Sequence, residues 1–190
     1  MSEANYRVDA IAAIVGGTLT TGGEQTAHRV VIDSRDDVRG ALFVALEGER
    51  FDGHDFVAEV EKKGEAAVMV SRPLDDLAIP QIVVGNTLDA LTAMAAHHRG
   101  TYRGIVAAVT GSSGKTTTRT LIASILSVRH RVHQPVRNFN NHIGVPLTLL
   151  GLGPSADVAV FELGCSNFGE IAHLTKLVQP HVSVITNVGP

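Results

Sequence analysis

The chain has 190 residues, a formal net charge of −3 and 44% hydrophobic residues, enough for one large domain or two small ones with real cores. Lys and Arg are scattered rather than gathered into a nucleic-acid surface. No run of 18 apolar residues could span a membrane, and residues 1–7 lack the basic-then-apolar layout of a secretion signal. The single Cys165 excludes an internal disulfide and reads as a small buried residue, and these features together point to the cytoplasm.

Apolar spacing predicts a short helix over 8–15, stopped by Gly16 and Gly17, and a strand at 18–20. A better strand, 30–32, ends in Asp33, Ser34, Arg35 and Asp36. Asp and Ser at a strand end turn the chain by bonding nearby backbone. Alternatively, the Ser34 hydroxyl and Arg35 hold a polar ligand at the rim of the sheet. Residues 41–46 read as a buried strand. Phe43, Phe51 and Phe56 lie among Arg50, Asp52, His54 and Asp55. This is a small core with a polar rim, as burial tendencies favour, or a platform for a flat ring, since an Arg and an aromatic suit a nucleotide base and its phosphates. A helix over 54–63 closed by Gly64, strands at 66–70 and 81–84, and a helix capped by Asn86 and ending at Gly100 follow. The polar, Gly-flanked stretch 101–104 is the expected boundary, dividing the chain into 1–100 and 101–190.

The second part opens on the stretch that organises the rest. An apolar strand, 105–109, breaks into Thr110-Gly111-Ser112-Ser113-Gly114, then Lys115-Thr116-Thr117 and a helix. This is a phosphate cradle. Gly111 and Gly114 let backbone N–H groups approach an anion, the helix N-terminus adds partial positive charge, Lys115 reaches the β- and γ-phosphates, and the Thr116 hydroxyl ligates Mg²⁺. The usual loop has four residues between its first Gly and Gly-Lys; here there are two, and Val109 stands at the usual first-Gly position. The alternative is an ordinary Gly-Ser turn before a helix. Residues 131–133 read as a short strand, and three Asn and a Gly make 138–146 a loop without regular structure. The strand 157–162 ends on Glu162. In a parallel sheet, ligands bind at the carboxyl ends of the strands, so Glu162 shares an edge with the phosphate loop and can complete a Mg²⁺ shell with Thr116. A loop, 164–169, a helix, 169–178, and a strand, 182–186, end the chain. His97, His98, His130 and His133 read as surface residues rather than metal ligands. The fold class is α/β: a small mixed α/β N-terminal domain, then the start of a P-loop parallel-sheet ATPase domain.

Four stretches in this order resemble the Mur ligase family: Asp33-Ser-Arg with 42–56, the phosphate loop 110–117, Asn138-Phe-Asn-Asn-His-Ile-Gly-Val-Pro146, and Glu162-Leu-Gly-Cys-Ser-Asn-Phe-Gly-Glu170. The shortened loop is the family's own version. A typical member has Ala-Asn-His where Cys165, Ser166, Asn167 and Phe168 stand here, which removes what a His at 168 would do. The resemblance implies an ATP- and Mg²⁺-dependent amide ligase of peptidoglycan precursor synthesis. The stretch 48–54 selects the member that joins D-alanyl-D-alanine to UDP-N-acetylmuramoyl-tripeptide through an acyl phosphate. It implies that Ser34, Arg35, Arg50 and His54 lie near the UDP-sugar, and that Gly111, Ser112, Ser113, Gly114, Lys115, Thr116 and Thr117 bind ATP. Thr116 and Glu162 would bind Mg²⁺, with Lys115 and Glu162 catalytic and Asn140 and Asn141 beside the phosphates and substrate. The family also has a His, a carbamylated Lys and a whole C-terminal domain further on. The expectation is therefore an N-terminal fragment, inactive alone, of an enzyme that is monomeric at full length. A P-loop kinase or NTPase with another acceptor, and a non-catalytic UDP-sugar-binding module, stay open as alternatives.

Overall fold

The computed structural model describes residues 5–48, 51–135 and 139–189. Its contacts divide the chain into two compact units, Met1–Met94 and Ala95–Pro190.

In the first unit, β1 (Tyr6–Arg7) leads into α1 (Val8–Val15), which buries Val8, Ile11 and Ala12 at helical spacing and ends on Gly16. β2 (Thr18–Leu19), β3 (Thr26–Ala27), β4 (Val30–Val31) and β5 (Leu42–Val44) follow, then a 3₁₀ turn at Gly53–Phe56 and α2 (Val57–Glu61). The helix expected over 54–63 is thus a 3₁₀ turn joined to little more than one α-turn. Asp52 starts the turn by accepting the His54 N–H, which favours the tighter geometry at its first residues. β6 (Ala67–Val70) and β7 (Gln81–Val83) complete the unit's main sheet, of order β2-β7-β6-β5-β4. β4 to β7 run parallel and β2 is antiparallel to β7, while β1 and β3 form a separate antiparallel pair. Every residue of β5 and β6 is buried, as the continuous apolar runs of covered parallel strands require. Val31, Phe43, Val57, Val60, Val68 and Val70 make one core.

α3 (Thr87–Thr101) begins under Asn86, whose side-chain oxygen accepts from the N–H groups of Leu88 and Asp89 at 2.9 and 3.0 Å. The division between the units falls within this helix. It runs through Gly100, where an end was expected, and Leu91, Met94 and Ala95 form its buried stripe.

The second unit is built on β8 (Ile105–Thr110), α4 (Lys115–Leu126), β9 (Val132–His133), α5 (Gly144–Leu150), β10 (Val158–Glu162), α6 (Glu170–Val178) and β11 (Val182–Ile185). Its four strands are all parallel, in the order β11-β8-β10-β9. The chain leaves β8 toward β9, returns through β10, and then crosses to the other side of β8. All five residues of β10 are buried, and Ala123 of α4 packs on Ala107, Val158 and Val160. α5 starts inside the stretch expected to be irregular. Pro146 is its third residue, where a missing N–H loses no helical bond. Among the described residues no helix is long and apolar enough to cross a membrane.

Candidate active site

The loop between β8 and α4 opens at the carboxyl edge of the second unit's sheet. Gly111 has φ 137°, and a Cβ there would overlap the Thr186 hydroxyl; Gly114, with φ 79°, is the residue before α4. No side chain caps α4. The N–H groups of Lys115, Thr116 and Thr117 therefore have no partner within the helix, and they carry the positive end of its dipole. The Lys115 ammonium curls back over the loop, donating to the carbonyls of Gly111 at 2.7 Å and Ser112 at 3.4 Å.

Glu162 stands on the same edge. β10 pairs with β8 in parallel, Glu162 level with Val109. Its carboxylate is buried, with 3% of the residue exposed, and three groups converge on it. The Thr116 hydroxyl donates to Oε2 at 2.8 Å, Asn140 Nδ2 donates to Oε1 at 2.9 Å, and Arg119 Nε lies 3.5 Å from Oε2. Arg119 sits one turn after Thr116 on the same face of α4. Its Nη1 donates to Gln134 Oε1 at 2.8 Å and to the Pro135 carbonyl at 3.4 Å. Its buried Nε has no hydrogen-bond partner among the described residues. A hydroxyl oxygen and a carboxylate oxygen 2.8 Å apart, beside a row of free helix-terminal N–H groups, are hard donors that fit Mg²⁺ held together with an anion.

Asn141 serves the local backbone: its side-chain oxygen accepts from Ile143 N and Gly144 N at 3.2 and 2.8 Å and turns the chain into α5. Cys165, expected to be buried, is exposed in the loop after β10. The strand before it ends at Glu162, and the small residues around Cys165 mark a loop rather than a core. Two of the four histidines expected at the surface are half-buried instead. The Nε2 of His98 and of His133 meets the carbonyl of Leu152 at 2.7 Å and of Thr148 at 2.9 Å, so each Nε2 carries the proton. Burial holds both rings below the usual imidazole range.

In the first unit, the carboxyl ends of β4 to β6 bring residues 33–36, 45–48, 51–54 and 71–72 to one edge. Asp33 accepts from the Arg35 N–H and Nε, which fixes the turn after β4 and leaves the Arg35 side chain 87% exposed. The Ser34 carbonyl accepts from Lys63 Nζ at 2.8 Å. Asp33 thus makes the turn, as the local reading expects, and Arg35 projects from it into solvent. Arg50 lies outside the described residues. His54 is buried, its side chain 1% exposed. Its Nε2 accepts the Ser71 N–H at 2.9 Å, so Nδ1 holds the proton that it shares with Asp52. Arg72 donates to the other Asp52 oxygen at 2.7 Å, and the Ser71 hydroxyl donates to Glu47 at 2.6 Å. Burial pushes the Asp52 carboxyl up, but Arg72 and His54 outweigh it and hold the group well below the usual range. Glu47, Asp52 and His54 have ligand atoms within 4.8 Å of one another, but both ring nitrogens are engaged, so this is a hydrogen-bonded brace that ties Asp52 and the 3₁₀ turn to Ser71 and Arg72. The aromatic cluster divides. Phe43 is core at 1% exposure, whereas Phe51 and Phe56 are 73% and 40% exposed.

Arg119, Thr186 and Asn187 belong to this site and were not singled out by sequence reasoning. Arg119 had a signal, a charge within an otherwise apolar helix face; Asn187 had only the loop propensity of its type.

Two family models match the chain, the Mur ligase middle domain over residues 109–190 and the Mur ligase family catalytic domain over residues 26–99. The UDP-N-acetylmuramoyl-tripeptide--D-alanyl-D-alanine ligase of Bacillus subtilis is 44% identical over 185 residues, and that of Escherichia coli 43% over 175. These matches cover 94% and 92% of this chain but 40% and 38% of those proteins, so the chain spans about 40% of the length of the curated relatives it matches. Among solved structures, MurF from Acinetobacter baumannii superposes with a TM-score of 0.93 at 38% identity, covering 100% of this chain and 42% of that one. A MurF ligase from Thermotoga maritima in complex with ADP gives 0.76 at 37% identity, covering 85% and 38%.

Proposed function

The chain belongs to the Mur ligase family, and from that premise we propose that it supplies the UDP-substrate unit and the nucleotide unit of an ATP-dependent ligase adding D-alanyl-D-alanine to UDP-N-acetylmuramoyl-tripeptide. The observation that carries the reading is the Thr116–Glu162 contact beside an uncapped, lysine-bearing phosphate loop, in a chain whose relatives bear that ligase's name.

A carboxylate does not accept an amine directly, because oxide is a poor leaving group. Phosphorylation by ATP makes an acyl phosphate, and the amine of D-alanyl-D-alanine then displaces phosphate. Phosphoryl transfer mainly needs positioning and charge neutralisation. In this reading the N–H groups at the start of α4 and the Lys115 ammonium hold the phosphates. Lys115 swings from the Gly111 carbonyl to do so, and at an effective dielectric of 20 each close charge pair contributes about 4 kcal/mol. Thr116 and Glu162 hold Mg²⁺, which when bound neutralises charge on the transferring phosphoryl group. Asn140 keeps the Glu162 carboxylate aimed at the loop. Ser34, Arg35 and Arg50 serve the UDP-sugar, and His54 acts from beneath, by holding Asp52 and the 3₁₀ turn that follows Phe51. The same reading puts the enzyme in the cytoplasm as a monomer, where ATP and nucleotide-linked precursors are found.

Calorimetry of the chain with Mg-ATP and, separately, with UDP-N-acetylmuramoyl-tripeptide tests this. Saturable binding of both is expected, with Lys115→Ala abolishing only the first. Absence of nucleotide binding, or binding indifferent to Lys115, would sink it.

A further inference from the structure

The phosphate loop is two residues shorter than one that wraps an anion with its own backbone, and the residues just after β11 make up the missing support. The Ser112 N–H donates to the Asn187 carbonyl at 3.1 Å. The Ser113 N–H donates to Asn187 Oδ1 at 2.9 Å, and Asn187 Nδ2 donates back to Ser113 Oγ at 3.1 Å. The Thr186 hydroxyl lies 2.5 Å from the Ser113 carbonyl and 3.2 Å from that of Thr110. Ser112 Oγ is 3.0 Å from both the carbonyl and the N–H of Gly189. Each residue of the loop from Thr110 to Ser113 is thus tied to, or packed against, the end of β11. A stretch of Gly and Ser otherwise loses much conformational entropy on ordering.

We propose that Thr186 and Asn187 are positioning residues for the nucleotide. They hold the loop in its cradle shape without touching the ligand, and they occupy the Ser112 and Ser113 N–H groups, so that phosphate is received by the N–H groups from Gly114 to Thr117. The inference rests on reading Gly111–Thr117 as the nucleotide site. It explains how a two-residue loop suffices: the strand on the far side of β8 from β10 serves as the other half of the cradle. It also explains why Gly stands at 111, where any side chain would push Thr186 away.

The test compares Asn187→Ala, Thr186→Val and Thr186→Ser with the unaltered chain, measuring Mg-ADP affinity by calorimetry, Ser113 amide exchange without nucleotide, and melting temperature. N187A and T186V are expected to weaken Mg-ADP by about tenfold or more, the scale of one or two lost hydrogen bonds. T186S, which keeps the hydroxyl, is expected to restore most of the affinity. N187A is expected to speed Ser113 exchange, and UDP-N-acetylmuramoyl-tripeptide binding should not move. A merely structural role would lower the melting temperature and leave Mg-ADP affinity well below that temperature unchanged, and that result would overturn the proposal. If the unaltered chain takes up no Mg-ADP, the nucleotide-site reading fails. The exchange arm then decides the brace by itself, and unaltered Ser113 protection in N187A would overturn it. If N187A does not fold, the T186V and T186S pair decides the affinity question in its place.

Discussion

Thr116 and Glu162, on α4 and at the tip of β10, are joined by a 2.8 Å hydrogen bond across 46 residues of chain. Parallel pairing of β8 and β10 puts the acid one residue below the start of the loop, and the first turn of α4 supplies the hydroxyl. In the proposed reading these two oxygens would hold Mg²⁺ in place of this bond, and the cation would neutralise phosphate charge. Glu162→Gln keeps the shape and most hydrogen bonds but removes the charge that holds the cation. The Mg²⁺ dependence of nucleotide affinity is therefore expected to weaken at least about tenfold. Titrating Mg²⁺ at fixed ADP measures it, and an unchanged Mg²⁺ midpoint in E162Q would remove Glu162 from the metal site.

Arg119 is the buried cation facing that acid, its side chain 9% exposed against 4% for Glu162. Its guanidinium also ties Gln134 and Pro135, which lead toward Asn140. Arg119→Met strands the Glu162 charge and frees the 134–135 segment. Removing one partner of a buried pair costs about 3 kcal/mol or more. Urea unfolding should show that loss. The double variant with E162Q should lose less than the sum of the two, because the stranded charge is gone.

Much of this architecture was legible in the residues. The apolar runs of β5, β6, β8 and β10 are continuous because both faces are covered, and Asn86 announced α3 by its capping chemistry. The edge shared by the loop and Glu162 followed from strand direction alone. What escaped depends on long-range contact. Asn187 binds the loop from 74 residues away, and no local pattern encodes that pairing. Arg119 stands out in the sequence only as a charge on an apolar helix face; its partners, Glu162 at the tip of β10 and the 134–135 segment, come from long-range contact. Composition placed Cys165 inside by its type, but its position just past a strand end put it at the surface. Three Asn and a Gly suggested irregular chain over 138–146, but Asn141 spends its side chain on turning the backbone into α5, which begins inside that stretch.

Phe51 is 73% exposed on the edge that carries Arg35 and the Asp52–His54 brace. A large ring held out to water adds little to folding, so Phe51→Ala should leave the melting temperature nearly unchanged. If the ring stacks on the uracil base, its loss weakens UDP-N-acetylmuramoyl-tripeptide by about 1–3 kcal/mol, the usual range for base–aromatic stacking. Calorimetry with the UDP-substrate separates the two effects, and unchanged affinity would assign the base to another surface.

Glu65 gives a pH dependence whose sign is fixed by its surroundings. Only 7% of the residue is exposed, and neither carboxylate oxygen has a hydrogen-bond partner among the described residues. Burial raises its pKa; its own main chain opposes this, and the nearby Glu61 adds to it. A raised folded value means that the native chain keeps a proton the unfolded chain has already released. The contribution is whole below the ordinary glutamate value, near 4.3, and is lost as pH rises through the folded value. Glu65→Met fills the same space without a charge or an orphan acceptor. It should therefore stabilise the chain by about 1–3 kcal/mol at pH 8, with the gap closing toward pH 4. Urea unfolding across that range measures the difference, and a gap that stayed constant with pH would mean that folding does not shift the Glu65 carboxyl.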